Sequence, residues 1–393
     1  MKYRNNTPRG AARRDMARLV HDMTENEAEL ILAEYRFGSR ELQCCPACGS
    51  LARHYRRRTR RQWRCRHAEC GHTFSVTSGT ALDNCKLTYR QLLRFLVHAE
   101  ASPKGTGLVA MTNAACMTEK SAQQNLMKLR EALMAHADQA PLTGTIHIDG
   151  AHVCGKLRRS NRRVKKIAPA TVLAVHGTAT VKRRFRTINP HSAANLRRAK
   201  NKRVLICLVQ VSPSGGAERV IVAMCRSENA RDVTELAKRY VAPGSRIFTD
   251  ENPAYNELGQ HFEHFTVNHS EEYSTSEGVS DNLAESFFAR VRRGQYGVHH
   301  GFRPQYMAFY GWEYAWRETH RRLPQSRKVG LLGRALLMPG YSRYWRGYHG
   351  GQRRRLSRQA RHEILVGSSL ENTTHKDYTD PPEEALPVIP AEP

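Results

Sequence analysis

Two short cysteine words set the local geometry of the first part of the chain: Cys45-Pro-Ala-Cys48-Gly and, after 16 intervening residues, Cys65-Arg-His-Ala-Glu-Cys70-Gly. Each pair is followed by glycine, which permits the tight backbone turn that brings two thiols onto one centre. Four thiolates at such spacing repel unless a cation neutralises them, and Zn²⁺ is the metal that tetrahedral sulfur ligation suits best. Cys45, Cys48, Cys65 and Cys70 are therefore the expected ligands. The second pair is a wide CxxxxC, so Cys44 or His67 stands as an alternative for one position. A redox role fits poorly, because no βαβ pattern surrounds the CxxC. Cys85, Cys116, Cys154, Cys207 and Cys225 are scattered and are expected to be core residues.

Charge points to a polyanion. The 393 residues hold 63 Lys+Arg against 36 Asp+Glu, a net charge of +27, which favours nucleic acid as partner without naming a function. Arg53 to Arg66, between the cysteine pairs, is strongly basic and would lie against DNA. Lys156 to Arg203 contains 16 Lys+Arg and no acid over 48 residues. A merely solvated loop would rarely exclude acids so completely, so Lys156, Arg158, Arg159, Arg162, Arg163, Lys165 and Lys166 are expected to grip phosphates. Tyr341 to Arg361 interleaves Arg with Tyr and Trp, a mixture suited equally to base stacking and to an ordinary solvated segment. From Gly367 to Pro393 six acids face Lys376 alone, the composition of a disordered acidic tail. No window approaches 18 uninterrupted apolar residues, and the basic N-terminus lacks an apolar core, so a cytoplasmic protein is expected.

Hydrophobic residues make up 40% of the chain, enough for the cores of two or three domains. Thr24 to Phe37 reads as an amphipathic helix. Leu87 to Ala137 reads as helical, with Leu92, Leu93, Leu96 and Val97 at helix spacing, a break at residues 102–105, and a second run from Glu119 capped by Thr118. This pattern suits equally a helix-turn-helix, with Lys120, Gln123, Gln124 and Lys128 facing outward, and an ordinary small helical bundle. From residue 145 the period shortens. Residues 145–149, 204–211, 219–225 and 246–250 are β-branched strands, 229–241 is a helix between the third and fourth, and a further strand fits 265–268. Helices follow at 281–293 and 305–322. The order β, β, β, α, β, then helices indicates one α/β domain.

Within that domain three acids stand out. Asp149 ends the first strand, Asp250 ends the fourth, and Glu285 lies on a helix three residues after Asn282, so the two share a face. Two such strands side by side would bring Asp149 and Asp250 close, which like charges resist unless a divalent cation lies between them. Oxygen-only ligands favour Mg²⁺ or Mn²⁺. Five histidines (His147, His152, His269, His299 and His300) lie near these acids in sequence, His269 being the best placed to carry a proton.

The local words are HIDGAHVCGK around Asp149, FTDENPAY around Asp250 and SDNLAESFFARVRR around Glu285, with separations of 101 and 35 positions. With the CPxCG ribbon, they resemble the zinc-ribbon insertion-sequence transposases of the DDE superfamily, from about residue 20 to 325. The resemblance implies an RNase H-like catalytic domain at 141–325, an N-terminal helical segment at 1–40, a zinc ribbon at 41–82 and a small helix-turn-helix-like domain at 83–140. It implies Asp149, Asp250 and Glu285 as Mg²⁺ or Mn²⁺ ligands with Asn282 supporting them. DNA would be the partner, held by at least a dimer, and the protein would be nucleoid-associated in a bacterial cytoplasm. The wide CxxxxC pair departs from the family, and the basic aromatic extension at 326–366 and the tail at 367–393 have no counterpart in it. The expected activity is cleavage of DNA at the element's ends and joining to a target. The rivals are an RNase H-like nuclease without strand transfer and a zinc-ribbon regulator whose acids are vestigial.

Overall fold

The computed structural model describes residues 20–153, 203–225, 227–267, 282–302 and 306–347. The first helix, α1 (Glu25–Phe37), begins where Thr24 and Glu27 form a reciprocal capping box, and it ends at Gly38 in the left-handed region. Five short strands follow: β1 (Gln43–Cys44), β2 (Leu51–Ala52), β3 (Tyr55–Arg57), β4 (Gln62–Arg64) and β5 (Thr73–Phe74). β1 pairs with β2, and β3, β4 and β5 make a three-stranded antiparallel sheet. Three helices come next: α2 (Tyr89–Glu100), α3 (Leu108–Ala115) and α4 (Glu119–Ala135). Thr88 and Thr118 cap α2 and α4 through their hydroxyls.

The sheet of the second half contains β6 (Thr145–Ala151), β7 (Val204–Val211), β8 (Ala217–Cys225), β9 (Arg246–Asp250) and β10 (Glu263–Val267). Its order is β10-β9-β6-β7-β8, with β6, β7 and β8 antiparallel in turn and β9 and β10 parallel to β6. Helix α5 (Ala230–Tyr240) carries the chain from β8 across to β9, on the far side of β6. β7 is buried along six successive residues because both its faces are covered, which explains its unbroken apolar run. Helix α6 (Asn282–Gly297) packs on β6 and β7, and α7 (Met307–Thr319) packs on β8 and on α4. The domain is thus mixed α/β, with the two strand-end acids at one end of its central strands.

Helix α8 (Gln325–Leu337) turns back onto the N-terminal half. Val329, Leu332, Leu336 and Leu337 join the core formed by α1, the ribbon, α2, α3 and α4. Beyond it Tyr344 and Trp345 are buried against Met127 and Phe309. The start of the segment expected to be a basic aromatic extension is therefore structural, and these two rings are not available to stack on bases.

A second expectation also needs correction. Lys128 is 6% exposed, not outward-facing, and Gln124 is half-buried with its amide donating to the Trp345 carbonyl at 3.0 Å. Helix α4 is wrapped by α3, α7 and α8, so only its first turns reach the surface, where Lys120 and Gln123 are exposed. Helix α3 stands as a separate element within the stretch from Leu87 to Ala137 that the pattern presents as two helical runs. Of the scattered cysteines, Cys207 and Cys225 are buried as expected, Cys85 is half-buried, Cys116 is exposed, and Cys154 lies outside the described residues. No helix among the described residues is long and apolar enough to cross a membrane.

Candidate functional site

The ribbon builds its centre from two turns. Gly49 and Gly71 adopt φ of 72° and 51°, and their N–H groups donate back to the carbonyls of Cys45 and His67. The Cys45 and Cys65 N–H groups reach across to the Ser50 and His72 carbonyls, which turns each knuckle inward. Buried His54 staples them together: Arg66 N–H donates to Nδ1 at 3.0 Å, and Nε2 lies 3.1 Å from the Ser50 carbonyl.

The result is that Cys45, Cys48, Cys65 and Cys70 place their sulfurs within 4.8 Å of one another. The Cys45–Cys70 and Cys48–Cys65 separations are 3.8 and 3.6 Å. Tetrahedral ligation at about 2.3 Å requires sulfurs about 3.8 Å apart, so the donor set fits Zn²⁺. Burial pushes the Cys65 thiol up to about 12, so the all-thiolate state calls for a cation. Cys44, whose sulfur lies 3.4 Å from the Gly49 carbonyl, and His67 stand outside the quartet.

The acids are positioned by strand register. β6 and β9 pair in parallel with Thr145, Ile146 and His147 opposite Arg246, Ile247 and Phe248. The same offset carried two residues further sets Asp149 level with Asp250. Each carboxylate is turned by a backbone N–H just after it: Asp149 Oδ1 accepts from Gly150 N–H at 2.6 Å, and Asp250 Oδ1 accepts from Asn252 N–H at 3.1 Å. Asn252 then caps the 3₁₀ segment Pro253–Gln260, which swings Tyr255 back beneath the strand ends.

Tyr255 is fully buried, and its hydroxyl donates to Glu228. Burial first, then Glu228, with Asp149 and Asp250 adding, hold this phenol far above its usual range, so it keeps its proton. Glu285 is exposed in the first turn of α6, whose buried Ala284, Phe287, Phe288 and Val291 face the sheet core. Asn282 heads the same helix. Among the described residues the cysteine quartet is the group of three or more ligating side chains drawn within 4.8 Å; the acids stand further apart. The seven basic residues from Lys156 to Lys166, and His269, lie outside the described residues.

Sequence reasoning missed Glu228 and Tyr255. Glu228 precedes the Asn229 N-cap of α5 and looks like an ordinary acid near a helix start. Its signal was Gly150, directly after Asp149: a Cβ there would lie 2.5–2.9 Å from the Glu228 carboxylate atoms.

These features define a zinc-ribbon protein whose mixed α/β domain presents strand-end acids. Residues 141–319 match the ISXO2-like transposase domain, and residues 23–73 match the transposase zinc-ribbon domain. The chain belongs with the zinc-ribbon insertion-sequence transposases of the DDE superfamily. No curated protein matches it.

Proposed function

We propose that the chain binds the terminal repeats of its own element and catalyses divalent-metal-dependent cleavage and strand transfer on an RNase H-like fold. The observation that carries this reading is the parallel register of β6 and β9, which carried two residues further sets Asp149 level with Asp250, the last residue of β9, together with Glu285 in the first turn of α6. A five-stranded sheet with three antiparallel strands followed by two parallel to the first supports the RNase H-like assignment. Asp149, Asp250 and Glu285 would hold Mg²⁺ or Mn²⁺, for which their all-oxygen donor set is suited. When bound, the cations supply a polarised oxygen nucleophile and charge stabilisation at the phosphate. The chain's part is to fix the three carboxylates on rigid elements and to hold the strands in line.

DNA recognition is assigned to the ribbon and to α3–turn–α4, a helix-turn-helix-like pair whose turn passes through Cys116 at φ 50°. Exposed Lys120 and Gln123 in the first turns of α4 are placed to meet base edges. A neighbouring groove is lined by Arg61, Arg90 and Arg94, a set suited to phosphate. Two element ends must be held together, so at least a dimer assembles on DNA. With the full chain, Mn²⁺ and duplex carrying the element's native flanks, wild type nicks the element ends, whereas Asp149→Asn and Glu285→Gln do not. Equal nicking by either variant contradicts the assignment.

A further inference from the structure

The groove between the ribbon hairpin, the start of α2 and the turn after α3 is lined by Arg61, Arg90, Arg94 and Cys116. The Tyr89 hydroxyl donates to the Arg61 carbonyl at 3.4 Å, which ties the hairpin to α2. The carboxylate that also lines the groove, Glu25, is engaged by backbone: it accepts from the Tyr89 and Arg90 N–H groups at 2.6 and 3.1 Å. Among the described residues the three guanidinium groups have neutral acceptors and no ion pair. Arg61 donates to the Asn26 side-chain oxygen at 3.2 Å, and Arg90 and Arg94 donate to the His21 carbonyl at 3.1 and 3.4 Å. Elsewhere in the chain Arg56, Arg130 and Arg290 each meet a carboxylate, from Glu29, Glu313 and Glu318.

This convergence of charge works against the fold unless an anion joins it. Arg90 and Arg94 are four apart on α2, a like-charge pair that destabilises a helix when nothing neutralises it. Arg61 sits in the left-handed region at φ 51°, where glycine is the ordinary residue, so the turn keeps a guanidinium at a conformational cost. A second groove shares Gln91 and Cys116 with the first and is lined further by Asn113, Thr118 and Ser121, with no carboxylate among its lining residues. It leads from the arginines to the first turn of α4, where Lys120 is exposed.

We propose that Arg61, Arg90 and Arg94 form a clamp for backbone phosphates of the DNA strand that runs on to the first turn of α4. The ribbon is then not a separate DNA reader. Through Arg61 it supplies one side of a grip that sets the register of α4 on the duplex, while base edges are left to α4. This rests on the proposed assignment of DNA recognition to the ribbon and α3–turn–α4. Arg61→Gly removes the guanidinium and leaves a residue that favours the same turn, so it separates the grip from the fold.

The test is a salt titration of binding to duplex carrying the element's native flanks and to a scrambled duplex, with the full-length, zinc-loaded protein. Arg61→Gly and Arg94→Gln are each expected to weaken binding to both duplexes alike, by about 5-fold near physiological salt, and to lower the slope of log affinity against log salt by about one. The unfolding midpoint of Arg61→Gly is expected to equal or exceed that of wild type. The Cys116 sulfur lies 3.8 Å from Arg94 Nη1, so saturating duplex is expected to slow its alkylation by N-ethylmaleimide, read by peptide mass spectrometry. Unchanged slopes and unchanged Cys116 labelling, with Lys120→Ala and Gln123→Ala losing the preference for the native duplex, overturn the clamp and leave the recognition reading standing. Slopes reduced as expected, with that preference intact in Lys120→Ala and Gln123→Ala, overturn the reading of α4 and leave the clamp standing. Absence of duplex binding by wild type overturns both.

Discussion

Glu313 accepts from Arg130 at 2.5 Å and from Arg317 at 2.8 Å while its side chain is only 5% exposed. Arg130 also lies over the Tyr310 ring, 4.1 Å from its centroid, and Arg317 donates to the Ala99 and Ser102 carbonyls. The two guanidinium groups outweigh the burial penalty and hold the Glu313 carboxyl below the usual carboxylate range. Removing its charge leaves two buried cations without their partner, so Glu313→Gln is expected to lose about 3–5 kcal/mol in urea denaturation. A loss below about 1 kcal/mol would show that the network is hydrated and not a brace.

His299 sits beside this network, with Nε2 buried and without a hydrogen-bond partner among the described residues. Burial first, then Arg130, pushes it down to about 4. The unfolded chain therefore takes up a proton near the ordinary histidine value before the folded one does. Stability contributed by neutral His299 is complete above about pH 6.5 and is lost as pH falls toward 4, by roughly 3 kcal/mol in all. Unfolding titrations from pH 7 to 4 should show this slope in wild type and a flatter one in His299→Phe.

At the scale of elements, the C-terminal return is the piece least visible in the amino-acid pattern. Val329, Leu332, Leu336 and Leu337 have helical spacing, but Gly330 and Gly333 interrupt them and lower helix propensity. Both glycines exist for a tertiary reason: the Tyr35 ring of α1 packs against them, and a Cβ at Gly333 would collide with it. Gly333→Ala is accordingly expected to destabilise by about 1–3 kcal/mol despite its better propensity; a stabilised variant would mean that Tyr35 moves aside without penalty. Past α8, Glu131 accepts from the Ser342 hydroxyl and from the N–H groups of Arg343 and Tyr344. Glu131→Ala should release residues 341–347, seen as faster amide exchange there and a red shift of Trp345 fluorescence.

The elements that were legible had autonomous signals: the threonine cap at Thr118, β-branched runs in β6 to β9, and cysteine spacing. What escaped depends on contacts distant in sequence. Lys128 is buried because α7 and α8 close over α4, and Glu228 meets Gly150 only once β8 and β6 share a sheet.

Over the whole molecule, one core joins the ribbon to the helical domain and α8, and another fills the α/β domain. The contact of α7 with α4 and the Arg130–Glu313 pair tie the two together. Trp63, 5% exposed, stacks near Phe74 inside the ribbon, so its environment reports on the thiolate centre. Chelating the metal is expected to release one zinc per chain and abolish the near-ultraviolet circular dichroism of Trp63. Retention of that signal after complete metal removal would show that the ribbon folds without zinc.

Wild type and Asp250→Asn are compared at equal DNA occupancy, with Mg²⁺ or Mn²⁺ and duplex bearing the element's native flanks, and joined products are measured. Metal-dependent cleavage and joining are expected of wild type, and neither of Asp250→Asn. Joining that persists in Asp250→Asn would contradict the role of that acid, and nicking without joining by wild type would reduce the protein to a nuclease.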